Sequence, residues 1–167
     1  MGVAMHSFTT MIRAGLPLGA AVLACAPQPA QAEDASVARR LTERGYKYDI
    51  DKDGDYRVVY KYESERRTQL AYVSGRTKTA YGVPIRKVFS PAAVLSKNRI
   101  DGALALELLD DAFTNKMGGW GIAGGVLYLA IKLPDSASAL DLQGAMIIAA
   151  ELADNMEITI SGAKDEL

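Results

Sequence analysis

Four aspartates at alternate positions surround one short turn, a spacing that first suggests a calcium-binding loop: Asp49, Asp51, Asp53 and Asp55. An EF-hand loop requires glycine at its sixth position and glutamate at its twelfth. Counted from Asp51, this chain has glycine at the fourth position and Tyr62 at the twelfth. Because Asp and Gly are favoured in turns, a β-hairpin turn explains these residues better, and no metal site is predicted.

Two other groups of residues could carry acid–base or nucleophilic chemistry. Glu107, Asp110 and Asp111 lie on one predicted helix, where adjacent residues point to different faces, so a solvated surface explains them better. Ser96 and Lys97 are adjacent, and serine–lysine catalysis instead uses a Ser-x-x-Lys spacing. No catalytic residue is predicted from either group.

The N-terminus has the pattern of a secretory signal peptide. Residues 1–32 contain no Asp or Glu, carry Arg13 as their only Lys or Arg, and have an apolar run over residues 14–26. Ala30-Gln31-Ala32 then supplies the small residues of a cleavage site, which predicts cleavage after Ala32 and a periplasmic or secreted protein. A lipoprotein anchored through Cys25 is the alternative, because residues 22–25 resemble a bacterial lipobox.

The only histidine and the only cysteine, His6 and Cys25, fall within that leader. Residues 33–167 would then lack both imidazole and thiol. This excludes a Ser-His-Asp triad, a cysteine nucleophile, a zinc site built on His or Cys, and any disulfide. No cofactor is predicted.

Composition narrows the class of protein further. The hydrophobic share of 49% and the charged share of 23% are those of a globular domain. A formal charge of −1 provides no surplus of cations for nucleic acid, and no segment after the leader is apolar for long enough to span a bilayer. We therefore expect neither a nucleic-acid partner nor a transmembrane segment in residues 33–167.

The first half of this region predicts one helix and four strands. Asp34 caps a helix that runs to Arg44, and strands follow over residues 46–51, 55–63, 68–74 and 81–89. A three-residue loop, Lys52-Asp53-Gly54, places Ile50 opposite Tyr56 and gives Gly54 the left-handed conformation. The third strand is predicted to be central in the sheet. The fourth is predicted to lie at an edge or carry a bulge, because Pro84 cannot donate to a ladder, and to stop at Ser90-Pro91.

The second half predicts helix, hairpin and helix. Asp101 caps a helix to about Met117, and Gly124-Gly125 joins strands over residues 120–123 and 126–133. Trp120, Ile122, Leu127, Leu129 and Ile131 are expected on the core face. A last helix runs from about Ser136 to Glu157, with a buried stripe of Leu140, Ile148, Leu152 and Met156. Gly144 within it suggests close backbone packing or a bend.

The predicted order of elements is α-β-β-β-β-α-β-β-α, which indicates an α+β fold with an antiparallel sheet in a single domain, residues 33–167. The eight tyrosines are explained by cross-strand packing, with a ligand-stacking surface as the alternative.

Several turn and strand positions resemble the YbjN-domain family of bacterial proteins. The matching residues are Gly45-Tyr46-Lys47-Tyr48, Asp51, Asp53-Gly54-Asp55-Tyr56, Tyr72-Val73-Ser74, Ser90-Pro91-Ala92, Gly119-Trp120 and the terminal Gly162-Ala163-Lys164-Asp165-Glu166. The family is described as sensory-transduction regulators, and its domain is similar to type III secretion chaperones. The resemblance implies a small α+β module, often dimeric, that holds segments of other proteins, and it implies no catalytic residues.

Two classes of function follow. The first is a non-enzymatic periplasmic module that binds or regulates another protein, or pairs with a second copy of itself. The second is a small-ligand-binding protein or carboxylate-based enzyme of the cell envelope.

The predicted edge strand suggests where a partner would bind. Proteins blunt exposed edges with charge or proline, and Pro84, Arg86 and Lys87 do so here, while Val83, Ile85, Val88 and Phe89 remain apolar. These four residues are the predicted partner-binding site, because an edge of this kind can accept a strand from another chain. The alternative is that Ile85 and Phe89 face the core and Arg86 faces water.

Overall fold

The computed structural model describes residues 34–63, 66–115, 117–162 and 164–165, so the predicted leader, with His6 and Cys25, lies outside the described residues. The elements in chain order are α1 (Ala35–Glu43), β1 (Asp49–Ile50), β2 (Tyr56–Tyr62), β3 (Arg67–Val73), β4 (Lys78–Ala80), β5 (Val83–Val94), α2 (Gly102–Thr114), β6 (Gly119–Ala123), β7 (Val126–Pro134) and α3 (Ala139–Ser161).

The strands form one antiparallel sheet in the order β1-β2-β3-β5-β7-β6, and β4 pairs with β5 beside this path. This confirms the α+β fold with an antiparallel sheet, with one strand, β4, that the sequence pattern did not indicate. The central position of β3 is also confirmed, since it lies between β2 and β5.

Both predicted hairpins form with the expected register. Ile50 lies opposite Tyr56, the amide of Asp51 donates to the carbonyl of Asp55 at 3.0 Å, and Gly54 has a φ of 82°. Ala123 lies opposite Val126, with both glycines between them at positive φ, as a two-residue turn of this hand requires. The core face of β7 is also as predicted, because Leu127, Leu129 and Ile131 are buried, although Ile122 on β6 is 59% exposed.

The fourth strand is predicted to lie at an edge or carry a bulge; the edge position is wrong, and the register shift that the strand does carry lies between Pro91 and Ala93, not at Pro84. Strand β5 pairs with β3 and β4 on one side and with β7 from Ile85 to Val94 on the other. It does not stop at Ser90-Pro91 but runs on to Val94 through a register shift between Pro91 and Ala93. Pro84 is tolerated because it is the second residue of the strand, where one missing amide donor costs little.

Helix α3 packs across β3, β5 and β7, but not with the predicted stripe. Ser138 caps it, in a capping box with Asp141. Its buried face carries Leu142 and Met146 between small residues, whereas Leu140 is 64% exposed and the rest of the predicted stripe is only half-buried. The small buried residues are Ala145, Ala149, Ala150 and Ala153. These alanines let the helix approach the sheet closely, so bulk is a poor guide to its inner face.

Two further expectations about the helices need adjustment. Asp101 caps α2 as predicted, accepting from the amide of Leu104 at 3.0 Å, but the helix ends at Thr114. Gly144 does not mark close packing, because a Cβ built there meets nothing within 4 Å. No helix among the described residues is long and apolar enough to cross a membrane.

Candidate interaction surface

The four residues predicted to bind a partner are divided between the two faces of β5. Val88 is fully buried on the face beneath α3. Ile85 and Phe89 are half-buried on the opposite face, and Val83 is 47% exposed near the start of the strand. The alternative reading fails as well, since Arg86 is 1% exposed and points inward. The four predicted binding residues therefore form no continuous surface, and Val88 is inaccessible to a partner.

Arg86 is held in a buried ionic cluster that ties three parts of the fold together. Its guanidinium donates to Asp34 at the start of α1, to the carbonyl of Ser74 and, at 2.7 Å, to Asp135. Arg40 of α1 also reaches Asp135. Hydrogen bonding from Arg86 lowers the pKa of Asp135. Burial alone would raise the pKa of Asp34, but the hydrogen bonds from Ser36 and Arg86 to its carboxylate lower that pKa overall. Each carboxylate is thereby kept charged and occupied, which suits a structural role.

A second buried cluster joins β3 to the C-terminal half of α3. Arg67 donates to Asp154 at 2.9 Å and to Glu157 at 2.8 Å, and all three side chains are at most 7% exposed. Although burial opposes it, the two carboxylates raise the pKa of Arg67. Gln69 lies beside this cluster and donates to Ser90 and to the carbonyl of Pro91. Both clusters were missed from the sequence because charged residues are ordinarily assigned to the surface.

The other candidate chemical groups are placed as parts of the fold. Asp111 accepts from the indole of Trp120 at 2.5 Å and from Asn115 at 2.7 Å. Ser161 and Lys164 do have the Ser-x-x-Lys spacing, which was overlooked in the sequence, but the Ser161 hydroxyl donates to the carbonyl of Glu157 at 2.9 Å.

The acidic turn is likewise organised by hydrogen bonds within the hairpin. Asp51 accepts from the amides of Asp53 and Asp55 at 2.9 Å. Burial raises the pKa of Asp55, whose carboxylate also accepts from the amide of Gly75. Across the described residues, no three His, Cys, Asp or Glu side chains lie close enough together to hold a metal ion.

Helix α2 presents an apolar stripe to solvent. Leu106, Leu109 and Phe113 are 69%, 67% and 89% exposed and follow one another at helical spacing. Only Leu108 of this helix is buried. A surface helix normally turns its large apolar residues inward, so this stripe is unusual for a protein that acts alone.

An open apolar groove lies between the end of α2 and the outer face of α3. One depression of about 480 Å³ is lined by Met117, Leu140, Gly144 and Ile148, together with Leu133 and Pro134 from the end of β7. A second, of about 490 Å³, shares Met117 and Ile148 and continues toward Leu152. Gly144 gives the groove its depth, since the space above its backbone is empty.

Leu140, Ile148 and Leu152 of the predicted α3 stripe thus line a groove, while Ile148, Leu152 and Met156 also pack against the core from its side. Helix α3 is apolar on two faces, one against the sheet and one in the groove. We call the α2 stripe and this groove together the helical surface. It offers apolar contact area and few polar groups, which is suited to binding apolar side chains and not to activating a substrate.

Comparisons with known proteins identify no family for this chain. No family model matches the chain, and no curated protein matches it. A similar solved structure is that of the Yersinia pestis type III secretion chaperone SycH in complex with a stable fragment of YscM2. The match has a TM-score of 0.49 and 11% sequence identity, and it covers 75% of this chain and 99% of that chain. A likeness at this level identifies neither a partner nor an activity.

Proposed function

We propose that this chain is a non-enzymatic protein-binding module that holds an apolar segment of another protein, or of a second copy, on its helical surface. We further propose that it belongs to the YbjN-domain family and acts in the periplasm or outside the cell. The exposure of Leu106, Leu109 and Phe113 on one helix is the observation that carries the proposal. A contiguous apolar patch of this kind on a soluble protein is typical of an interaction site.

The groove complements that stripe. Its lining residues Leu140, Ile148 and Leu152 lie on α3 at four-residue intervals around the open position at Gly144. A partner helix with apolar residues at helical spacing, or an extended apolar segment, would bury these side chains on docking. Each fully buried leucine or isoleucine contributes about 1.5–3 kcal/mol, and several such contacts together must exceed the entropic cost of association.

The arrangement of charge also favours binding over catalysis. The groove contains Asp141 near one end and Glu151 near the other, each in a different depression. The carboxylates of the two ionic clusters, in contrast, are engaged by the buried arginines Arg40, Arg67 and Arg86.

The proposal is tested by site-specific photocrosslinking from the helical surface. A photoreactive residue at position 109 should give a defined crosslinked species in envelope extracts, either a heteromer or a dimer. With the probe kept at position 109, the double variant Leu106→Ser/Phe113→Ser should abolish this species without loss of fold, because both side chains are solvent-exposed. Val59→Ser is the matched control, since Val59 is 49% exposed on β2, away from this surface. If the double variant crosslinks as before, and light scattering shows that its molar mass in solution is also unchanged, the helical surface is excluded as the binding site.

The location is tested separately by mass spectrometry of the protein recovered from cells. A chain beginning at Glu33 would support soluble export, and an acylated Cys25 would support the lipoprotein. A chain that retains residues 1–32 would contradict both.

A further inference from the structure

The β4–β5 hairpin forms an arm that projects from the sheet. Every residue from 76 to 84 is exposed, and β4 pairs only with the start of β5. Tyr81 and Gly82 form the turn, and the Tyr81 side chain is fully solvent-exposed at the tip. We call residues 76–84 the arm.

Tyr81 occupies a backbone conformation that disfavours tyrosine. Its φ is 48° and that of Gly82 is 81°, so both turn residues are left-handed. Such turns normally use Asn, Asp or Gly at the first position. An exposed aromatic residue kept at a strained position contributes nothing to folding and therefore suggests a role in binding.

The chain around the arm carries charge of one sign only. Residues 66–100 contain no aspartate or glutamate and eight cations: Arg66, Arg67, Arg76, Lys78, Arg86, Lys87, Lys97 and Arg99. Arg67 and Arg86 are buried in the ionic clusters. Within the described part of the chain, neither Arg76 nor Lys78 has a carboxylate at salt-bridge distance. The arm is therefore a free positive charge on a projecting element.

Like charges also meet at the root of the arm. Lys87 of β5 lies directly opposite Lys132 of β7, and both are exposed. Directly opposed like charges destabilise a sheet; the Asp55 carboxylate offsets part of this repulsion through Lys87, and a bound anion would relieve the rest. An anionic partner that fits the arm would therefore contact the cations on the arm and those at its root.

The tip itself is uncharged. Its sequence over residues 80–84 is Ala-Tyr-Gly-Val-Pro, and the two cations of the arm stand behind it, Lys78 on β4 and Arg76 just before that strand. Tyrosine favours the boundary between water and lipid, and apolar side chains favour the acyl region just below it. Lys and Arg a few residues behind such a tip would lie at the level of the phosphates.

We propose that the arm docks on an anionic phospholipid surface, with Tyr81 and Val83 inserted at the headgroup boundary and Arg76 and Lys78 on lipid phosphates. Charge complementarity and the order of apolar tip and basic stem favour lipid over nucleic acid. The rings on the open face are already engaged, since Tyr72 stacks on Phe89 at 5.1 Å and the Lys87 ammonium lies 3.8 Å from the centre of the Phe89 ring. They are poorly placed to stack on nucleobases.

The acidic turn limits the contact to the arm. The amide of Gly75, next to Arg76, donates to Asp55, so the turn carrying Asp53 lies beside the root of the arm. Its negative charge repels an anionic surface that approaches beyond the arm. Removing this charge should therefore strengthen binding.

The experiment is co-sedimentation with vesicles at low ionic strength, using equimolar phosphatidylglycerol and phosphatidylcholine or phosphatidylcholine alone. All variants are expressed from the full coding sequence, so that every one has the same N-terminus. Arg76→Gln/Lys78→Gln should weaken partition about twentyfold or more, since each cation near such a surface contributes about fivefold. Lys97→Gln/Arg99→Gln, beyond the opposite end of β5, removes the same charge and should have little effect. Asp53→Asn should strengthen partition.

Tyr81→Asn separates binding from folding. Asparagine tolerates positive φ, so the melting temperature should rise while partition to the anionic vesicles falls several-fold. Three outcomes would overturn the proposal: equal losses in the two charge-removal pairs, equal partition of the wild type to both kinds of vesicle, or tighter binding to a thymidine oligonucleotide than to the anionic vesicles.

Discussion

Replacing Gly144 by alanine should stabilise the protein. Glycine inside a helix costs about 0.8–1.0 kcal/mol relative to alanine, because the unfolded chain gives up more conformational freedom. Gly144 is the sixth residue of the 23-residue helix α3, well inside it, and its φ is not positive. A Cβ at this position meets nothing within 4 Å, so no steric cost offsets the gain.

The expected gain in the free energy of unfolding is therefore about 1 kcal/mol, which is about 3–5 °C in Tm for a domain of this size. Urea unfolding followed by far-ultraviolet circular dichroism measures it, with an unchanged m-value showing that the same surface is buried. The reciprocal variant Ala145→Gly, at the next position of the same helix, should lose at least as much, because Ala145 is fully buried and its methyl group also leaves a small void.

A destabilised Gly144→Ala protein would refute the description of the groove, because the cost could come only from something that approaches the backbone there. The larger variant Gly144→Leu extends the argument to function. It should stay folded and fill the groove, so the crosslinked species formed from position 109 should be lost or reduced while stability is kept.

Three further predictions concern the core and the ionic clusters. Leu142→Ala should lower the free energy of unfolding by about 2–5 kcal/mol, whereas Leu140→Ala, at an exposed site, should change it by less than about 0.5 kcal/mol. Equal losses in urea titrations would contradict the assignment of the Leu142 face of α3 to the core. Val88→Lys should prevent folding by burying a charge, as circular dichroism would show, and a folded variant would contradict the central position of β5. Arg86 holds the pKa of Asp135 below its usual 3.8, so the ion pair stabilises the protein above that pH. The stabilisation is lost as the pH falls through the lowered pKa of the folded carboxylate, so Asp135→Asn should flatten the acid limb of a pH–stability curve.

Local signals predicted the turns and caps well, because these depend on neighbouring residues alone. Asp34 and Asp101 cap their helices, and Gly54 and Gly124 adopt the backbone that their hairpins require. Register followed from the same turns, since a hairpin loop fixes which residues face each other.

Positions that depend on distant contacts were predicted poorly. The place of β5 in the sheet is decided by pairing with β7, some forty residues away in sequence, and Pro84 gave a misleading local hint. The inner face of α3 was misassigned because its contact with the sheet is made of alanines, whose burial is invisible to a search for bulky stripes. The interaction surface was consequently sought on β5, while the residues that line the groove had been assigned to the core.

The two ionic clusters explain how α3 keeps its second apolar face outward. An alanine-rich contact buries little area per residue, so packing alone discriminates weakly between the two apolar faces of the helix. Arg40 bonds the carbonyls of Asp135 and Ala137 just before α3 begins, and Arg67 binds Asp154 and Glu157 near its end. If the helix turned about its axis, the two carboxylates would lose their buried partner, a change that costs about 3–5 kcal/mol. Charge thus sets the orientation that hydrophobicity leaves open, and the face with Leu140, Ile148 and Leu152 remains available to a partner.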